Sequence, residues 1–351
     1  MKKILFILPG LGGGGAERVV IQICQYLNKS QFKVVLVVLH KQGVLVDLLP
    51  HDIQVIDMHV SRARYSVLSL IRLLNNERPD IVFSTLTHLN IILCFLRIFF
   101  TRFKLIIRES NIVSLLLKSN VQKILYRLII SKADVIVAQS IDMFNDLVKN
   151  FNCDIKKIEI INNPINIDVI EKQIDEPLDI CFVHEKKILL TIGRLEYQKG
   201  FDLLIDSFSQ LPERNIYQLV ILGRGSLRDE LEKQVEKQGV EELVSFRDFD
   251  LNPYKYMAKA DFFISSSRFE GFPNVVIEAL ACGTPVIANS YLGGIHEIIN
   301  EDIGSVIDIT NVSAFHAALS KRYNSQKIKA YCKRKYSIKE IISQYETVFN
   351  I

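Results

Sequence analysis

The sequence has no uninterrupted apolar run of the roughly 18–20 residues that a bilayer-crossing helix requires. The nearest, 89–100, is twelve residues long and carries Arg97. That absence argues against a helical integral membrane protein. The six cysteines (Cys24, Cys94, Cys153, Cys181, Cys282 and Cys332) include no CxxC pair and no His-flanked zinc spacing. Five of them sit in apolar runs or helical patterns, the ordinary place of a reduced, buried thiol, and that usage predicts a cytosolic protein. Low-complexity tracts and short repeats are missing as well. The opening Met1-Lys2-Lys3-ILFILP mimics a secretory leader, but its apolar stretch ends at Pro9 after five residues, so it reads as a strand.

What is present is globular material. Apolar residues make up 49% and charged residues 23% of 351 residues, which excludes a disordered chain and suits two domains of ordinary size. The net charge of +4 hides an asymmetry: 21 Lys/Arg against 12 Asp/Glu in residues 1–165, but 22 against 27 in residues 166–351. A basic front half and an acidic back half predict two bodies with different partners, the first favouring an anionic surface or ligand.

Short apolar runs alternate with amphipathic segments. The pattern predicts strands at 4–8, 34–39, 54–58, 81–84, 105–107, 135–138 and 158–161, with helices at 16–27, 67–74, 90–99, 121–130 and 143–149. The second half repeats the rhythm with strands at 188–192, 218–222, 244–246, 262–265, 286–288 and 305–307. Its helices are expected at 201–210, 227–238, 275–281 and 312–319. Continuous apolar strands separated by helices make parallel sheets covered on both faces. The predicted fold class is therefore α/β, two doubly wound Rossmann-like domains facing each other across a cleft. Domain one is placed at 1–165, a linker at 166–185, domain two at 186–335, and a C-terminal helix at 336–351 with Ile341, Ile342, Tyr345 and Val348 on one face.

Gly10-Leu11-Gly12-Gly13-Gly14-Gly15 follows the first strand and opens a helix, formally satisfying GxGxxG. Glycines let the backbone approach a phosphate, and the helix behind them favours negative charge. NAD binding would need an acidic residue where the second strand ends, but His40-Lys41-Gln42 stands there and no carboxylate comes until Asp47. A mere turn is also a poor account, because four consecutive glycines carry a high entropic cost. The loop reads as functional, but not for NAD.

The most informative stretch is Ser265-Ser266-Ser267-Arg268-Phe269-Glu270-Gly271-Phe272-Pro273-Asn274-Val275-Val276-Ile277-Glu278. A strand runs into a loop carrying Glu270, and a helix starting near Asn274 carries Glu278. Two carboxylates can then serve one pocket, as acceptors for sugar hydroxyls beside backbone N–H groups that suit a phosphate. Two unrelated surface glutamates are the alternative, which the stiff Gly, Phe and Pro between them disfavour.

This segment resembles the E-x7-E signature of the retaining glycosyltransferases of family 4, which have the two-domain GT-B fold. Four more elements resemble the family in order: GGGGAERVV at 12–20, GRLEYQKGFD at 193–202, VILGRGSLRDEL at 220–231, and ALACGTPVIA with GGIHEII at 279–299. The resemblance covers residues 4 to about 300. It implies that Glu278 binds the ribose of a nucleoside diphosphate and Glu270 the donor sugar near its reacting carbon. Backbone N–H groups of Phe272, Asn274 and Val275, after Gly271, would hold the sugar and β-phosphate. Gly193, Arg194 and Lys199 match the family's diphosphate element. A guanidinium and an ammonium also suit a leaving diphosphate on physical grounds, since its charge grows as it departs. Gly14 and Gly15 would lie on the nucleotide-sugar side, Gly12 and Gly13 on the acceptor side.

Further candidates stand at strand ends. His88 follows the fourth strand, where ligands collect; relatives place a His or polar residue there near the donor sugar, and a structural histidine is the alternative. Arg108-Glu109-Ser110 resembles an acceptor-side element of several relatives, in the order RES rather than SER. Asp248-Phe249-Asp250 spells the metal-binding DXD of another glycosyltransferase fold. It reads as non-metal, because enzymes of the resembled kind need no bound cation, and the nucleotide sugar is a substrate rather than a cofactor.

Residues 97–132 hold eight cations (Arg97, Arg102, Lys104, Arg108, Lys118, Lys123, Arg127 and Lys132) against the single acid Glu109, with Leu115, Leu116, Leu117, Ile124, Leu125, Leu128, Ile129 and Ile130 interleaved. Such a segment has the form of an interfacial anchor on anionic lipid, or of a core helix with a solvated basic face. Nucleic acid is not expected as a partner, for no stacking aromatics accompany the cations. The resulting expectation is an enzyme on the inner face of the cytoplasmic membrane. It would transfer a sugar from a nucleotide sugar, UDP-linked, to a lipid-linked saccharide in bacterial surface polysaccharide or O-antigen assembly. A nucleotide-sugar 2-epimerase of the same fold and an NAD-dependent oxidoreductase are the alternatives.

Overall fold

The computed structural model describes residues 1–117, 119–178, 182 and 185–351, so Lys118 and Cys181 lie outside the described residues. Two units emerge: Met1–Pro164 together with Ile338–Ile351, and Ile165–Ser337.

The first unit opens with β1 (Lys2–Leu8), α1 (Gly15–Tyr26), β2 (Phe32–Val38), β3 (Gln54–Asp57) and α2 (Val67–Glu77). It continues with β4 (Ile81–Thr85), α3 (Thr87–Arg97), β5 (Lys104–Arg108), α4 (Val113–Leu116) and α5 (Asn120–Ile130). β6 (Val135–Ala138), α6 (Ile141–Phe151) and β7 (Ile158–Ile160) complete its alternation. The described strands form a parallel seven-stranded sheet in the order β3-β2-β1-β4-β5-β6-β7. β1 is apolar without alternation because both faces are covered. Ile4, Phe6 and Leu8 join one core, while Leu5 and Ile7 join the other. Between β1 and β4 the strand order reverses, and the carboxyl ends there carry the glycine loop and His88.

The second unit begins with α7 (Ile167–Gln173), β8 (Lys187–Ile192), α8 (Phe201–Ser209), β9 (Tyr217–Leu222), α9 (Arg228–Lys237) and β10 (Val244–Arg247). Then come α10 (Tyr254–Met257), β11 (Phe262–Ser265), α11 (Asn274–Cys282), β12 (Val286–Asn289) and α12 (Ile295–Ile298). β13 (Gly304–Ile307), α13 (Val312–Leu319) and α14 (Ser325–Tyr336) finish it. Its parallel six-stranded sheet has the order β10-β9-β8-β11-β12-β13, reversing between β8 and β11. The two doubly wound sheets are the fold class read from the sequence.

Helix α15 (Ile338–Asn350) returns to the first unit. Tyr345 and Phe349 pack on Phe83 with ring centroids 5.9 Å apart, and Phe349 also meets Phe6 and Phe32. Lys2 Nζ donates to the carbonyls of Phe349 and Asn350, and Lys104 Nζ to that of Val348, so two cations satisfy the helix's carboxyl end.

Two boundaries need correcting. The stretch 166–185, read as linker, contains α7, capped by Asn166 and buried through Ile167 and Ile170 in the second unit's core. Seven residues are too few for a hydrophobic period to stand out. Tyr336, expected to start the final helix, instead ends α14, a largely polar helix that buries Ile328, Cys332 and Tyr336. The five described cysteines are buried and unpaired, and burial raises their thiols, that of Cys153 to about 11. Among the described residues no helix is long and apolar enough to cross a membrane.

Candidate functional site

In doubly wound sheets ligands gather at the carboxyl strand ends where the order reverses. In the second unit the segments leaving β8 and β11 meet at that place. Glu270 Oε1 accepts from Lys199 Nζ at 2.7 Å and from Ser267 Oγ at 2.8 Å, while Oε2 accepts from Gln198 Nε2 at 3.1 Å. The carboxylate is nearly buried, so its charge is balanced by an ammonium and two neutral donors rather than by water.

The two segments are fastened together at several points. Ser266 Oγ donates to the Lys199 carbonyl at 2.8 Å, and the Arg268 amide to the Gln198 carbonyl at 2.8 Å. The Arg268 guanidinium grips Asp202 through both nitrogens and lies 4.0 Å over the Tyr197 ring. Burial pushes the Asp202 carboxyl up, but the bonds and charge of Arg268 outweigh it and leave the pKa lowered. Gly200 is forced here: φ is +63°, and a Cβ would stand 2.2 Å from the Ser266 carbonyl oxygen. On the other side of Glu270 its amide donates to the Leu292 carbonyl at 3.1 Å. Gly293, at φ +116°, passes so close that a Cβ would lie 1.6 Å from the Glu270 carbonyl oxygen.

Gly271 leads through buried Phe272 and Pro273 into α11, whose first residues are Asn274 and Val275 and whose fifth is the half-buried Glu278. Phe272 anchors the turn in the core, 5.8 Å from the Tyr336 ring. Gly193 abuts the Lys199 stem, and Arg194 is exposed. Of the residues singled out in sequence, Gly193, Lys199, Glu270, Gly271, Phe272, Asn274, Val275 and Glu278 thus lie on adjoining segments of one unit. Gln198 and Ser267, which hold Glu270, were not singled out; their adjacency to Lys199 and the strand end was the available signal. The two aspartates of the DXD are engaged by the chain's own cations, Asp248 by Arg224 at 3.0 Å and Asp250 by Lys255 at 3.0 Å, with Tyr256 donating to Asp250 as well.

In the first unit the glycine loop differs from an open phosphate cradle. The amides of Gly13 and Gly14 both donate to Glu17 Oε2, each at 3.0 Å. Glu17 stands three residues after the N-cap Gly14, the capping-box position, so the loop already grips an anion from its own helix. Burial raises the Glu17 pKa against the pull of those amides. Gly12 and Gly15 flank this contact. His88 is exposed on the first turn of α3, and partial burial of its ring lowers its pKa. Arg108 and Glu109 are 0% exposed and present no charge at the surface, contrary to an acceptor-contacting role. Arg108 bonds Thr85 Oγ1 and Asn163 Oδ1, whereas Glu109 accepts from Thr87, Asn90 and Tyr126.

The basic stretch 97–132 is not one surface. Arg97 pairs with Asp134, Lys104 serves α15, and Arg108 is buried. Arg102, Arg127 and Lys132 are exposed and Lys123 half-buried. Beside these last three, α5 turns Val121, Ile124, Leu125 and Leu128 outward, with Leu115 and Leu116 of α4 also exposed.

Residues 13–169 match the profile of Glycosyltransferase Family 4, and residues 173–338 that of Glycosyl transferases group 1. The chain is 32% identical to the N-acetylgalactosamine-N,N'-diacetylbacillosaminyl-diphospho-undecaprenol 4-alpha-N-acetylgalactosaminyltransferase of Campylobacter jejuni, over 95% of this chain and 94% of that one. It is 25% identical to the amylovoran biosynthesis glycosyltransferase AmsD of Erwinia amylovora, over 94% and 92% of the two chains. Among solved structures, the Anabaena protein HepE in complex with UDP-glucose superposes with a TM-score of 0.81 at 19% identity, covering 100% of both chains. That likeness shows the GT-B fold. The chain belongs to the family 4, group 1 glycosyltransferases and is a glycosyltransferase enzyme.

Proposed function

We propose that this enzyme transfers a sugar, with retention, from a UDP-linked donor to a lipid-linked saccharide during assembly of a bacterial surface polysaccharide. The observation that carries the reading is the Lys199–Glu270 pair, 2.7 Å apart at the strand-order reversal of the second unit. Glu270 is a fixed acceptor for sugar hydroxyls, and Lys199 a fixed cation beside it. As the sugar–phosphate bond breaks, negative charge grows on the leaving diphosphate, and Lys199 with exposed Arg194 stabilises it more than it stabilises the intact donor. Glu278 takes the ribose, and the start of α11 at Asn274 and Val275 offers amides and helix dipole to phosphate. His88, Gly14 and Gly15 are the first unit's donor-side candidates, and Gly12 and Gly13 its acceptor-side ones. The names of relatives support this: HepE was crystallised with UDP-glucose, and the Campylobacter relative is named for a diphospho-undecaprenol-linked substrate. The outward leucines and cations of α5 suit the anionic inner face of the cytoplasmic membrane, where such an acceptor resides.

Calorimetry of the full chain with UDP, GDP and ADP tests the donor. UDP binding that Glu278→Ala weakens is the expected result; equal indifference to all three nucleotides would overturn the reading. Retention is read by NMR of the anomeric configuration of the product.

A further inference from the structure

Below His88 lies a closed polar cluster that the reaction as described does not use. Leu86, just before α3, has φ +75°, a conformation that is strained for a non-glycine residue and persists only where its surroundings enforce it. No side chain caps α3 from the N-cap position. The first turn is instead held from the neighbouring strand. Thr87 Oγ1 donates to Glu109 Oε2 at 2.7 Å, and Asn90 Nδ2 donates to Glu109 Oε1 at 2.8 Å and to the Arg108 carbonyl at 3.1 Å. Asn90 Oδ1 accepts from Ser84 Oγ at 2.6 Å, Tyr126 OH donates to Glu109 Oε1 at 2.9 Å, and Gln139 Nε2 holds the Glu109 carbonyl. Thr87 and Asn90 bracket His88, so one wholly buried carboxylate grips the histidine's turn on both sides while the imidazole itself stays exposed.

We infer that Glu109, acting through Thr87 and Asn90, is the positioning residue for His88: it enforces the strained corner at Leu86 and thereby fixes where the imidazole is presented. Glu109 touches no substrate in this role. The inference rests on the donor-side reading of His88, and the experiment separates the two. In such a device a small misdirection of the ring affects turnover rather than nucleotide affinity, because the groups assigned to the nucleotide lie on α11 and the segment after β8.

Full-length His88→Ala, Thr87→Val, Thr87→Ser and the double variant Thr87→Val/His88→Ala are compared for UDP release from UDP-glucose and UDP-N-acetylgalactosamine, with UDP affinity measured alongside. Thr87→Val should lower kcat roughly ten- to a hundredfold, with KM and UDP affinity unchanged. Thr87→Ser, which keeps the hydroxyl, should restore it, and the double variant should be no slower than His88→Ala alone. Thr87→Val at full kcat beside a crippled His88→Ala would overturn the positioning role while leaving His88 in the site. A silent His88→Ala would remove His88 itself. Glu109→Gln can turn its amide N–H2 to the Thr87 hydroxyl, which then accepts, while its oxygen keeps Asn90 and Tyr126, so it should retain most of kcat. Glu109→Ala removes every acceptor and should reproduce Thr87→Val, and a folded Glu109→Ala with unchanged kcat also sinks the inference.

Discussion

Lys199 balances Glu270 at rest, and the proposed function gives it a second task on the leaving diphosphate; its removal separates the two. Lys199→Ala leaves Glu270 with Gln198 and Ser267 as donors. It should lower kcat more than it raises KM, since the lost interaction strengthens as charge develops. Steady-state kinetics decide this, and a raised KM at constant kcat would contradict it. Gly293→Ala is a sharper probe of geometry: its methyl would collide with the Glu270 carbonyl in a backbone region hostile to alanine. Activity should be lost while far-UV circular dichroism stays native. Glu278→Ala should weaken UDP binding by roughly 1–3 kcal/mol, the scale of hydrogen bonds to a charged acceptor. Partial burial lowers the His88 pKa and so favours the neutral ring. If the neutral ring serves the reaction, kcat should be flat near neutrality and fall as pH drops below the ordinary histidine value of about 6.5. His88→Gln should abolish that acid limb.

Strands were legible to within a residue or two because a doubly wound sheet writes itself as unbroken apolar runs; 135–138 and 262–265 coincide with β6 and β11. Helices α7 and α14 were not, the first too short and the second too polar for periodicity to reveal them. At the candidate site, Glu270 and Glu278 were singled out by their local spacing, and Lys199 by the resemblance carried by residues 193–202. The contacts around them could not be read, since Lys199–Glu270 and Gln198–Glu270, like Thr87–Glu109 beside His88, span more than twenty positions and are made by the pairing of strands. Helix α5 carries two readings, an interfacial anchor or a core helix with a solvated basic face, and its exposed Val121, Ile124, Leu125 and Leu128 are the surface a vesicle test addresses. Phosphatidylglycerol vesicles should float the protein at low salt, less so at high salt, and neutral vesicles should not. Replacing Lys123, Arg127 and Lys132 by Gln should release it with UDP affinity intact. Equal flotation with both lipids would remove the electrostatic part.

Across the whole molecule the two units own separate cores, and the candidate nucleotide residues belong to one of them. Bound UDP should therefore slow amide exchange at 193–200 and 270–278 first, as ligand-linked stabilisation acts on the body that binds. The other unit has a different dependence. Its sheet is closed by α15, whose Phe349 touches Phe6, Phe32 and Phe83; Phe349→Ala should cost about 3–5 kcal/mol there.

The path of the chain into α15 bears on how the protein is born. A ribosome delivers residues in order, so residues 165–337 leave it before the helix that covers Phe6 and Phe83. The body that starts first is finished last. During the time needed to synthesise residues 165–337 its aromatic face stays open to chaperones and to other nascent chains. Chains stalled through an unstructured C-terminal extension should yield a protease-resistant second unit and a digestible first one when residue 337, but not 338–351, has left the tunnel, and resistance of the first should appear only once a longer extension lets 338–351 clear it.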